Sequence, residues 1–333
     1  MNAKIDTGSP CYKSEDMEKA HKAIKAKWGL LRNDLRLGKF RFNDVCEAKK
    51  SKFLSEFDSL FTIEGGQVYF TKTLTTIFND AYVIRGTILR ESDTTPTSSR
   101  FMPNSVYIKE DNRFSPRGVE WLYLALGFPK DKNGKEKAKL CSEKECRAQK
   151  GDRFAFCEFI AADNNVKIVD LTLGEKWNPH RQRHEIRRLI KSSRKKDALL
   201  RADVLENDPV CQRNIVAAYA NIMSSELFVP LITSDNKSIT YAPFHCIAYY
   251  FQSLGYGGII YKSTVYSKGK NLVLFEKNLQ SLLKKALKFE KLKNHHRLKI
   301  RLHPKARLIN HLYLVYHIQR LMYILMIIDT HNQ

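Results

Sequence analysis

The chain has 333 residues, 43% hydrophobic and 28% charged, ordinary for a soluble globular protein and long enough for one large domain or two smaller ones. Its formal charge of +22 is not ordinary, and +10 of it falls in residues 277–333. Seven cysteines with no C-x-x-C spacing, and an N-terminus lacking an apolar leader, argue against a secreted disulfide framework and for reduced thiols in a cytoplasmic protein. No His or Cys pair completes a zinc set, so no metal is expected.

In chain order, Ser14 is a candidate N-cap for a helix whose stripe is Met17, Ala20, Ile24, Trp28, Leu31 and Leu35, ending at Gly38. A second helix starts near Asn43 or Asp44, with Glu47 placed for a capping box. It runs through Phe53, Phe57, Leu60 and Phe61 to Gly65-Gly66. These helices form a lead-in over 1–66, either a partner surface or a packing layer on the main domain. Ala81 to Leu89 reads as a strand interrupted by Arg85, a cation that either faces solvent on an edge or has an anion to bind. Glu91 to Asn112 reads as a long surface loop.

Asn112 to Leu126 (N-R-F-S-P-R-G-V-E-W-L-Y-L-A-L) is a turn leading into a strand over Val119–Ala125. It sets Arg113 before the strand and Tyr123 within it. That order suits gripping an anion beside a flat ring, or else gives a solvated arginine and a core tyrosine. Lys130 to Lys139 reads as a solvated charged insertion, and Cys141 to Arg147 as a short helix. Strands follow at Phe154–Ile160 and Val166–Leu171, then a very basic helical stretch at His180–Lys196. Helices are predicted at Pro209–Ser224 and Phe244–Leu254, and strands at Ile259–Tyr261 and Asn271–Phe275. Leu279 to Leu287, with its comb of lysines, reads as a basic amphipathic helix. Leu308 to Ile328 is apolar but interrupted by His311, His317, Gln319 and Arg320, which fits an interfacial or partner-binding helix better than a membrane span.

Four motifs occur in order: Arg85 inside a strand; N-R-F-S-P-R-G before L-Y-L-A; S-E-K-E-C-R before R-F-A-F-C-E-F; and L-G-Y-G-G-I-I-Y-K-S-T before G-K-N-L-V-L-F. Together, over roughly residues 80–276, they resemble the RES domain family. The resemblance implies an α+β fold, an ADP-ribosyltransferase-like mixed sheet with surrounding helices, occupying 67–276 between the helical lead-in and a basic helical tail at 277–333. It implies an enzyme that consumes NAD⁺ as substrate, a toxin of a toxin–antitoxin pair restrained by a helix-turn-helix antitoxin.

By the same resemblance, Arg85 and Arg113 take the family's arginine positions, Tyr123 its tyrosine, Glu145 its glutamate and Ser263 its serine, with Glu143 the rival to Glu145. Catalysis is assigned to Glu145, Arg85 and Tyr123, and dinucleotide binding to Arg85, Arg113, Tyr123 and Ser263. A carboxylate suits the oxocarbenium-like transition state of nicotinamide–ribose cleavage, and arginines suit the pyrophosphate. Gly257, Thr264 and His245 stand where the family usually has Asp, Ser and Gln, and Asn112 replaces a Gly. Gly257 and His245 could loosen the pocket. A homodimer, and contact of the basic segments with nucleic acid or a membrane surface, stay open. The alternative reading is a basic binding protein with a decayed pocket.

Overall fold

A computed structural model describes residues 17–62, 69–89, 97–149, 151–161, 165–178, scattered positions of 180–188, 209–227, 236–275, 283–293 and 296–299. It is a mixed α+β fold. The helices are α1 (Met17–Arg36), α2 (Val45–Ala48), α3 (Lys52–Phe61), α4 (Leu74–Asp80), α5 (Gly134–Glu145), α6 (Pro209–Glu226) and α7 (Lys237–Ser253). The strands are β1 (Thr71–Thr73), β2 (Tyr82–Leu89), β3 (Leu122–Gly127), β4 (Arg153–Ala161), β5 (Lys167–Asp170), β6 (Gly258–Lys262), β7 (Lys270–Leu274), β8 (Leu283–Lys293) and β9 (His296–Lys299). They form one sheet in the order β1-β5-β6-β7-β3-β2-β4-β8-β9. Every pairing is antiparallel except β5 with β6.

The periodic stripe of α1 does what its spacing predicts: Ala20, Ile24, Trp28 and Leu31 are buried. Gly38, at φ +67°, ends the helix in the left-handed conformation that glycine adopts without penalty. The predicted second helix is instead two. Asp44 caps α2 by accepting from the Glu47 amide, and Ser51 starts α3 anew by accepting from the Leu54 amide. The helices of 17–61 share one hydrophobic core with α6, α7 and one face of the sheet, so they are a packing layer on the rest of the described fold. Their polar contacts close within that core. Lys27 binds both oxygens of Glu56, which also accepts from the Tyr219 hydroxyl at 2.6 Å. Asp58 accepts from the Tyr250 hydroxyl at 2.9 Å and pairs with Lys49 at 3.1 Å.

Two expectations are overturned. Lys130–Lys139 is not wholly a solvated insertion: α5 begins at Gly134, and Ala138 and Lys139 are buried against the sheet. The Lys-Glu-Lys-Ala-Lys run is made of good helix formers, and that propensity prevails over its charge. The tail segment from Leu283 is a strand, not a helix. Residues 283–293 pair with β4 along its whole length, from Ala161↔Leu283 to Arg153↔Lys291. An open edge offers a row of unpaired backbone groups, and pairing with it outweighs a weak helical stripe. The apolar segment 308–328 and most of His180–Lys196 lie outside the described residues. Among the described residues no helix is long and apolar enough to cross a membrane.

The functional opening comes from the middle of the sheet. β2 and β3 pair at only three positions, Tyr82↔Gly127, Val83↔Leu126 and Ile84↔Ala125. Beyond Ile84, β2 stays with β4 as far as Leu89, while β3 stays with β7. The two strands therefore part in a wedge, with Arg85 on one side and Tyr123 and Leu124 on the other.

Candidate functional site

The wedge opens into a cavity of about 940 Å³. Its walls carry Arg85, Arg113, Tyr123 and Glu145, four side chains from four separate segments. Glu143, the rival carboxylate, is not on this wall.

Arg85 is the first residue of β2 beyond its pairing with β3, opposite Cys157 of β4. Its Nη1 is buried and makes no hydrogen bond. Burial pushes its pKa down, with the Cys146 and Cys157 thiols acting the other way, yet a guanidinium keeps its charge. The residue as a whole is half-buried, and a cation with a buried open donor is costly to leave without an anionic partner.

The turn that carries Arg113 is held on three sides. The Asn112 amide donates to the Ser115 carbonyl at 2.8 Å. The Asn112 carbonyl accepts from His245 Nε2 at 2.8 Å. Phe114 is fully buried against Tyr261, with ring centroids 4.8 Å apart. The Arg113 guanidinium lies over the Tyr241 ring, 5.3 Å from its centroid. His245, expected as a loosening departure, instead fixes this turn. Burial lowers its pKa, so it is neutral with the proton on Nε2, and its Nδ1 is buried without a hydrogen-bond partner.

Tyr123 lines the cavity, with its hydroxyl 2.9 Å from Ser115 Oγ. Burial raises the hydroxyl's pKa well beyond its usual value, so it stays protonated.

Glu145 is the last residue of α5. Its Oε1 accepts from Ser263 Oγ at 2.7 Å and from Asn271 Nδ2. Among the described residues Oε2 has no hydrogen bond, and it is the oxygen left for a ligand. Ser263 thus has a different place from the one expected of it. It is fully buried, and its Oγ is occupied by Glu145 and by the amides of Val265 and Tyr266. Ser263 orients the carboxylate and makes no direct contact with the cavity.

Two residues that sequence reasoning passed over complete the support. Asn271, buried in β7, donates to Glu145 and accepts from Cys141 Sγ at 3.4 Å. A lone polar residue at the head of the apolar run L-V-L-F was the available signal. Gly86 lets α5 lie on β2: its amide donates to Ser142 Oγ at 2.6 Å. A Cβ there would sit 2.1 Å from the Phe154 ring.

Burial pushes the Cys141 thiol up to about 12 and the Cys146 thiol up to about 11. Both are protonated near neutral pH and are poor nucleophiles. Among the described residues no group of His, Cys, Asp and Glu is arranged to hold a metal. The chemistry available is that of one oriented carboxylate facing arginines across an aromatic-walled space.

Comparison of the chain with protein-family profiles, with curated proteins and with solved structures finds no match.

Proposed function

We propose that this chain is an NAD⁺-consuming enzyme of the RES type, with an ADP-ribosyltransferase-like core, that cleaves the nicotinamide–ribose bond. One observation carries the reading: Arg85, Arg113, Tyr123 and Glu145, separated along the chain, line a single cavity. Its volume, about 940 Å³, lies in the roughly 300–1,000 Å³ range of small-molecule sites.

In this reading the pyrophosphate takes the open donor of Arg85 and the guanidinium of Arg113 through charge-assisted bonds. The Tyr123 ring offers a flat face to the nicotinamide. Glu145 Oε2 lies beside the ribose and stabilises the positive charge that grows there as the carbon–nitrogen bond breaks. Ser263 and Asn271 keep that oxygen aimed at no cost in reorganisation. Departing nicotinamide is neutral, so the leaving group needs no general acid. Water, phosphate or a protein side chain then takes the ADP-ribosyl group. A helix-turn-helix antitoxin is the proposed restraining partner.

The test is inducible expression with cellular NAD⁺ followed over time, paired with turnover by the purified chain. Glu145→Ala is expected to keep the fold and lower turnover a few hundredfold, on the order of 3 kcal/mol of transition-state stabilisation. Wild-type rates in that variant would reject the role of Glu145. No NAD⁺ loss with the wild-type chain, together with salt-dependent retention on DNA, would favour the basic binding protein instead.

A further inference from the structure

The cavity carries more positive charge than a pyrophosphate requires. Arg85, Arg100, Lys109, Arg113, Arg147 and Lys237 line it, against Glu110, Asp111 and Glu145. Two of these carboxylates are already engaged: Asp111 accepts from the Arg117 amide at 2.6 Å, and Glu145 is held by Ser263 and Asn271. The third, Glu110, stands at the mouth. It is paired with Lys237 of α7, and its pKa is lowered first by that lysine and also by Arg147.

Arg147 is the unusual member. Its backbone has φ +53°, the left-handed region that favours glycine. It follows the end of α5, where glycine is the common choice. An arginine here forgoes stability and in exchange sets an exposed guanidinium on the cavity wall two residues beyond Glu145. Non-glycine residues held in this region cluster at ligand-binding sites. Arg147, following α5, and Lys237, of α7, both line the cavity; Lys237 pairs with the Glu110 carboxylate, and Arg147 is near enough to act on it electrostatically.

We infer that Arg147, Lys237 and Lys109 form a second anion subsite at the cavity mouth, separate from Arg85 and Arg113, that takes a phosphate dianion. Glu110, whose side chain is 71% exposed, pairs with Lys237 there and is displaced when the ligand arrives. This rests on the dinucleotide reading for its biological ligand but not for its chemistry. Two sources supply such a dianion: the 2′-phosphate of a phosphorylated dinucleotide, or free phosphate acting as acceptor. In the second case a phosphate oxygen bonds to the ribose carbon as the carbon–nitrogen bond breaks. The bonding pair leaves with nicotinamide, which becomes neutral, and the product is a 1-phosphorylated ADP-ribose.

The first measurement is calorimetric binding of inorganic phosphate to the full chain. Arg147→Gly is expected to weaken phosphate binding at least tenfold while the Tm holds or rises, because glycine relieves the backbone strain. Glu110→Gln is expected to strengthen it severalfold. Equal phosphate affinity in wild type and Arg147→Gly, or no phosphate binding to wild type, overturns the subsite. So does a Tm that falls in step with affinity.

Two further arms name the source. If NADP⁺ binds more tightly than NAD⁺ and the gap closes in Arg147→Gly, the subsite takes the 2′-phosphate. If added phosphate accelerates NAD⁺ loss and the phosphorylated product forms, it takes the acceptor. If neither dinucleotide binds while the phosphate difference between the two proteins persists, the dinucleotide reading fails and the subsite stands.

Discussion

Two parts of this molecule bury polar side chains, and they treat them in opposite ways. Under the helical layer, Glu56 accepts from Lys27 and Tyr219, and Asp58 from Lys49 and Tyr250. At the cavity, Arg85 Nη1 is buried with no hydrogen bond and the exposed Glu145 has one oxygen without a hydrogen bond among the described residues, while behind the Arg113 turn His245 Nδ1 is buried without one. A closed network holds the fold together. A buried donor left open is costly, and an anionic ligand would offset that cost.

The comparison yields predictions of opposite sign. Phe57→Ala empties a fully buried position among Phe61, Tyr219, Tyr250 and Phe251 and is expected to cost roughly 3–5 kcal/mol in a urea titration. Glu56→Ala removes the carboxylate that both Lys27, its side chain 12% exposed, and the Tyr219 hydroxyl bind, and is expected to cost about 3 kcal/mol. Arg85→Met should do the reverse: removing a half-buried cation whose Nη1 has no partner leaves urea stability unchanged or raises it by about 1 kcal/mol, while calorimetric dinucleotide binding is lost. Should Arg85→Met unfold as readily as Glu56→Ala, the contrast between the two regions collapses.

The smallest effect is a pH dependence. The folded state holds His245 below its ordinary pKa of 6.5, so it binds fewer protons than the unfolded chain. Its contribution is complete above about pH 6.5 and is lost as pH falls below that value. His245→Gln keeps a donor for the Asn112 carbonyl and removes the titration. Its Tm is expected to fall less than that of wild type between pH 7.5 and pH 5.5, each pH roughly one unit from the ordinary histidine pKa. Parallel curves would assign the acid sensitivity elsewhere.

Much of this was legible in the sequence, for physical reasons that differ by element. The stripe of α1 is a direct consequence of 3.6-residue periodicity, and Arg85 stood out because charge inside an apolar strand needs a partner. The motif order named Arg113, Tyr123 and Glu145, though it could not distinguish a residue that touches a ligand from one that aims another. Ser263 belongs to the second kind, and only its burial and its bond to Glu145 reveal that. The extent of α5 was missed because charge was weighed above helix propensity. The strand at 283–293 was missed because its partner, the β4 edge, is more than a hundred residues away and leaves no local trace. The wedge was not visible either, since where two strands stop pairing is decided by their neighbours.

Gly86 has a last implication. The absence of one carbon there lets the Phe154 ring and Ser142 close over β2, which fixes how far the end of α5 stands from the neighbouring guanidinium of Arg85. An alanine would act as a spacer, pushing against Phe154 and Ser142 and so shifting the end of α5, with its Glu145 carboxylate, without touching Glu145 or Arg85. On the proposed NAD⁺-cleaving reading, the spacing between these two groups would help set which sugar linkage fits between them.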